Sequence, residues 1–178
     1  MTELDIENFL CRKLRMSELR SIRIKHSTSA AQTLLDLIGE GGFEIIQDDS
    51  RWNQNRALSV ELFGNLTPDI VLRSRASGEN RILIEVKVKE QLRYGIPDSQ
   101  IVRYFLHLLA TTNRTTKGPK DIERAVLLAA PSSWFDRDEN AEKWTYFVTH
   151  FKDLSRTFDI TLGEIRCDDE FFAGGPTC

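Results

Sequence analysis

The sequence predicts an α/β domain in which helices flank a mixed central β-sheet. Three observations carry this. The stretch ILIEVKVKE, residues 82–90, alternates strictly. Ile82, Ile84, Val86 and Val88 lie on one side, and Leu83, Glu85, Lys87 and Lys89 on the other, which is the period of a two-faced strand. The stretch RAVLLAAP, residues 124–131, is a continuous apolar run bounded by charge and Pro131, as expected of a buried, parallel strand. Between them PDSQIVRYFLHLLATTN, residues 97–113, has helical spacing.

The elements follow in order. Residues 2–20 read as a helix. A second helix is expected over residues 29–38, with Ser27 or Ser29 as N-cap, Leu34, Leu35 and Ile38 as its apolar stripe, and Gly39, Gly41 and Gly42 as its stop. FEIIQD is a short strand, QDDSRWNQN a polar loop, ALSVELF a further strand and GNLTP a turn. DIVLRSR and RILIEVKVKE form a hairpin around ASGEN. Asp98 or Ser99 caps the next helix, whose apolar positions are Ile101, Phe105, Leu108 and Leu109. After the loop TTKGPKD and the buried strand come a helix, DENAEKWTYFVTHFKDLSRTF, and an edge strand, DITLGEI. Phe171 and Phe172 in the tail are apolar enough to dock on the domain.

At 178 residues the chain suffices for a single domain, residues 1–178, with a proper core. That core is expected over residues 29–131, with an N-terminal basic helix (2–25) and a C-terminal helix and edge strand (138–166) attached. No run approaches the ~18 apolar residues of a membrane span. The N-terminus carries acids where an export signal carries basic residues. Cys11, Cys167 and Cys178 stand in no metal-ligand spacing, so a reduced, cytoplasmic protein is expected. The formal net charge of -3 excludes a bulk basic nucleic-acid coat. Residues 12–25, however, hold Arg12, Lys13, Arg15, Arg20, Arg23 and Lys25 against one acid, Glu18. Such a patch either meets phosphates or is a solvated helix face.

The polar side of the hairpin carries the chemistry. With the turn centred on residue 78, Asp69 falls opposite Lys87 and Val71 opposite Glu85. Because direction repeats every two residues, Asp69, Glu85 and Lys87 then share a face. Crowded carboxylates repel and cost free energy to desolvate, and a divalent cation relieves both penalties. Asp69, Glu85 and the backbone carbonyl of Val86 supply oxygens of the kind Mg²⁺ takes. Lys87 beside it can orient or deprotonate a water, or neutralise charge growing on a phosphate. The bland alternative is a solvent-facing hairpin with cross-strand opposite charges. Gln100 and Tyr104, at i and i+4, stack on one side of the following helix. His26, His107 and His150 have no metal-like spacing, and Trp134 and Trp144 read as packing residues.

Pro68 and Asp69 followed by Glu85-Val86-Lys87 resemble the PD-(D/E)xK nuclease superfamily, and QIVRY at 100–104 resembles the QxxxY motif of its RecB-like branch. The resemblance implies a restriction-endonuclease-like core of helix, three strands, helix and strand over residues 29–131. It implies Mg²⁺ or Mn²⁺ on Asp69 and Glu85, water activation by Lys87, and substrate or site support from Gln100 and Tyr104. Many members add a Glu from the first core helix. Here Asp36, Glu40 and Glu61 are the acids on offer. The expectation is therefore a Mg²⁺-dependent phosphodiester hydrolase acting on DNA, with RNA left open, basic residues Arg12, Lys13, Arg20, Arg23 and Lys25 along the backbone, and a homodimer as the pairing that small nucleases of this kind use. Two rivals stay open: a non-catalytic binding module of the same fold, and a subunit active only within a larger complex.

Overall fold

The computed structural model describes residues 1–46, 68–89, 100–111 and 121–168. Its helices are α1 (Glu3–Arg15), α2 (Leu34–Ile38), α3 (Gln100–Thr111), α4 (Ser132–Phe135) and α5 (Asp138–Thr157), with a 3-10 turn at Leu19–Ser21. Its strands are β1 (Phe43–Ile46), β2 (Ile70–Ser74), β3 (Asn80–Val86), β4 (Arg124–Ala130) and β5 (Ile160–Arg166). They form one five-stranded open sheet in the order β1-β2-β3-β4-β5. Strand β2 runs antiparallel to both β1 and β3, while β3, β4 and β5 run parallel. The expected strand ALSVELF, the caps Asp98 and Ser99, and Phe171 and Phe172 lie outside the described residues.

Both faces of the sheet are covered. Ile70, Leu72, Ile82, Ile84 and Val86 pack with Ile6, Leu10 and Leu14 of α1 and with Leu34, Leu37 and Ile38 of α2. Val71, Leu83, Val126 and Leu128 pack with Ile101, Phe105 and Leu108 of α3 and with Trp134, Trp144 and Phe147 of α4 and α5. The alternation of β3 thus sorts its side chains into two apolar layers. Helix α1 belongs to the first layer, so residues 2–25 are part of the core and not an attachment to residues 29–131. Its entry is fixed by a capping box: Asp5 N–H donates to Thr2 Oγ1, and Thr2 N–H donates to Asp5 Oδ2.

Three local expectations need correction. The N-terminal helix ends at Arg15, not at residue 20 or 25, so Arg20 falls in the 3-10 turn and Arg23 and Lys25 lie beyond it. The second helix starts at Leu34, not residue 29, and its cap is Thr33, not Ser27 or Ser29. The preceding segment runs extended because it closes the edge of β5. Lys25 and Glu164 exchange backbone hydrogen bonds of 2.8 and 2.9 Å, and Thr28 N–H donates to Leu162 O. Gly163 permits this approach, since a Cβ there would stand 2.5 Å from Ile24 Cγ2. The hairpin register is also displaced. Ile70 pairs with Ile84, Val71 with Leu83 and Leu72 with Ile82. Those pairs centre on Ser77, and an irregularity between Leu72 and Arg73 absorbs the offset into the turn, where Gly78 has φ 71°. Relative to a turn centred on residue 78 each residue meets a partner two positions away. An even displacement keeps every side chain on its expected face.

Candidate active site

The site is built where β3 ends. One more step of the observed register sets Asp69 beside Glu85, and Asp69 Oδ2 accepts the Val86 N–H at 2.6 Å. Glu85 points into the layer covered by α3, where Tyr104 donates its hydroxyl to Oε2 at 2.8 Å. Lys87 Nζ lies 2.7 Å from Glu85 Oε1. Glu85 is 2 % exposed and Lys87 6 %. The solvent-facing hairpin reading therefore fails, because α3 covers that face and dries it.

Two further acids arrive from α1. Glu3 Oε1 accepts the Val88 N–H at 3.1 Å. Glu7, one turn on, lies close enough to Asp69 and Glu3 to feel both charges. Sequence reasoning missed this pair because it placed the first core helix at residues 29–40. The available signal was the i, i+4 spacing of two acids at the start of an amphipathic helix whose Leu10 and Leu14 share that side.

Electrostatics follow from the crowding. Burial, then the Asp69 charge, pushes Glu85 up to about 7, while Lys87 and Tyr104 pull the other way. Burial likewise raises Asp69, opposed by the Val86 N–H and Lys87. Burial, Asp69 and Glu3 raise Glu7. For Lys87, burial favours the neutral amine, but Glu85 and then Asp69 outweigh it and lift the pKa above its usual value. Burial and the Glu85 charge keep Tyr104 a phenol, and hence a donor.

The remaining predicted residues are placed as follows. Gln100 is half-buried one turn before Tyr104 on α3. Asp36 completes the capping box of α2, accepting from the backbone N–H groups of Gln32 and Thr33, and Glu40 is exposed on the loop after α2. Glu61 lies outside the described residues. Arg12, Arg20, Arg23 and Lys25 are exposed. Lys13 is not available as a surface cation: it is 5 % exposed, with Nζ donating to Ser21 Oγ and Glu18 Oε2. His107 is buried on α3, and desolvation depresses it to about 4. Trp134 and Trp144 belong to the second apolar layer.

Among the described residues no three or more His, Cys, Asp or Glu side chains already form a metal cage. The donor chemistry nevertheless fits a hard cation. Asp69 and Glu85 are desolvated carboxylates whose mutual repulsion is relieved by one ammonium, and Mg²⁺ characteristically takes one or two carboxylates and completes its shell with water. Fold and site together define a class: an α/β protein with a mixed open sheet and, at the end of a central strand, a cluster of buried Glu85, Lys87 and Tyr104 with half-buried Asp69. Comparison of the chain with protein-family models, curated proteins and solved structures finds no match.

Proposed function

We propose that this chain is a metal-dependent nuclease of the PD-(D/E)xK kind, hydrolysing phosphodiester bonds in DNA. The observation that carries the reading is the desolvated pair Asp69 and Glu85 with the Lys87 ammonium 2.7 Å from Glu85 Oε1. Among the described residues the element order is α1-α2-β1-β2-β3-α3-β4, and apart from the short α2 it supports the reading. Without α2 that is the helix, three strands, helix, strand order of a restriction-endonuclease-like core, with α1 and not α2 as its first helix.

Asp69 and Glu85 would hold Mg²⁺ or Mn²⁺, with the Val86 carbonyl and Glu7 as further oxygens, and the bound ion would supply a polarised phosphoryl oxygen and an acidified water. The chain's own groups do the rest. Tyr104 fixes the rotamer of Glu85 and favours its charged form. The Val86 N–H does the same for Asp69. Lys87 leaves Glu85 to face the phosphate, where it neutralises charge building in the transition state. Gln100, on the same helix as Tyr104, contacts substrate or supports the cluster, and Arg12, Arg20, Arg23 and Lys25 are the surface cations open to backbone phosphates.

The test is cleavage of single-stranded, duplex and branched DNA with Mg²⁺ or Mn²⁺ against EDTA. Wild type cleaves only with metal. Lys87→Ala loses about 10²- to 10³-fold in rate, and because Lys87 is buried against Glu85, melting and DNA-binding curves check that the variant is folded and still binds. Binding without any metal-dependent cleavage would make the chain a non-catalytic module or an incomplete subunit.

A further inference from the structure

We propose that the cavity beside β5 is a base-recognition pocket that takes a guanine of the substrate strand, roughly two strand spacings, ~10 Å, from Lys87. It rests on the nuclease reading for the position of that strand.

Strand β5 repeats the chemistry of β3. Glu164-Ile165-Arg166 stands to β5 as Glu85-Val86-Lys87 stands to β3. The ladders align Glu85 with Leu128 and Leu128 with Glu164, so the two glutamates share a row and a sheet face. Each glutamate takes one bond from the base two residues on and one from an aromatic donor on a covering helix. For Glu164 these are Arg166 Nε at 3.0 Å and Trp144 Nε1 at 2.8 Å. The surroundings then differ. Asp69 crowds Glu85, whereas Glu164 borders a cavity of about 530 Å³ lined by His26, Phe135, Asp136, Trp144 and Arg166. Ligand pockets typically measure ~300 to 1,000 Å³.

Glu164 is 4 % exposed, and each of its oxygens has accepted one donor. A carboxylate has about four acceptor sites, so two remain for a donor edge. Arg166 is held as a fixed plane. Its Nη1 donates to Asp136 at 3.0 Å, its guanidinium lies 5.0 Å from the Phe135 ring centroid, and Nη2 donates to no described residue. The site thus offers an acceptor edge beside an arginine donor. Guanine presents the complement, with N1–H and N2–H₂ toward the carboxylate and O6 toward the guanidinium. Adenine has an amino donor where guanine has O6, and lacks the N1 proton. A phosphate suits the arginine but not its neighbours, since Asp136, Glu164 and Arg166 sum to one negative charge.

The experiment is a chemical-shift titration of the full chain, without metal, with guanosine, adenosine and cytidine monophosphates and with inorganic phosphate. Guanosine monophosphate should bind about tenfold more tightly than the others, the discrimination expected of one good base contact. Arg166→Ala and Glu164→Gln should erase that preference. Thr149→Trp, at an exposed lining position, should block binding while leaving Glu164 and Arg166 in place, and melting curves check that each variant folds. The proposal is overturned if guanosine and adenosine monophosphates bind alike, if neither perturbs the pocket, if inorganic phosphate binds as well, or if the folded variants bind as wild type. Since no cleavage is read, loss of guanine selectivity and loss of nuclease activity are separate results.

Discussion

Glu85 concentrates the chemistry of a strand into one side chain, and its partners can be varied one at a time. Tyr104→Phe removes a donor that favours the charged carboxylate. The Glu85 pKa should then rise further above about 7, and the acid limb of the metal-dependent pH–rate profile should move to higher pH. Phenylalanine keeps the ring packing, so the fold should lose only the ~1 to 3 kcal/mol of an unmade buried hydrogen bond. A profile that scales down without shifting would show that Tyr104 does not act through Glu85. Glu7→Gln addresses the acid that sequence reading missed. If Glu7 helps hold the ion, Mn²⁺ affinity should fall about 10- to 100-fold, as when supporting groups of metal sites are removed. Calorimetric titration of Mn²⁺ into both proteins measures this. Unchanged affinity would leave Glu7 as a source of repulsion only.

At the scale of elements, what the sequence disclosed depended on how local the cause is. Strands β3 and β4 and helices α3 and α5 were legible because their side-chain periods are written within a few residues. So was the shared face of Asp69, Glu85 and Lys87, which survives any even change of register. The register itself was not, because the irregularity at Leu72 and Arg73 is set by turn packing. Helix α2 came out shorter because Gln32 and Thr33 pair with Ile24 and Arg23, in a segment whose Lys25 and Thr28 are tied to β5, a strand more than a hundred positions away in the chain. The Glu3 and Glu7 acids were hidden for the same reason: their neighbour Asp69 is remote in sequence and adjacent in space. Gly163 tests the closure directly. Gly163→Ala pushes a methyl into Ile24 Cγ2 and should cost about 1 to 3 kcal/mol by overpacking, read as a lower urea midpoint with an unchanged slope.

For the whole molecule, the carboxylate cluster makes stability depend on pH in an unusual direction. Glu85 has a folded-state pKa raised from 4.5 to about 7. Its contribution is full below the unfolded pKa and is lost as pH rises through about 7. Buried His107, depressed to about 4, has the opposite sign and costs stability as pH falls below 6.5, so the Glu85 contribution is read against Glu85→Gln: between pH 5.5 and pH 8 the metal-free variant should lose less melting temperature than wild type. A divalent cation that binds only the folded state should restore the alkaline loss, by about 2.7 kcal/mol at a hundred times its Kd. Equal melting temperatures with and without Mn²⁺ at pH 8 would remove the cation from the account. Among the described residues no helix is long and apolar enough to cross a membrane.

The bridge between Lys25 and Glu164 also bears on how the chain reaches this state during synthesis. A Cβ at Gly163 would meet Ile24 and Leu127, so the packing around Ile24 and Lys25 is finished by a strand made more than a hundred residues later. Closing such a long span is slow, as for other non-local pairings. Until β5 leaves the ribosome, the apolar edge of β4 and the segment before α2 stay open to wrong partners, so the nascent chain should depend on chaperones most between emergence of β4 and emergence of β5.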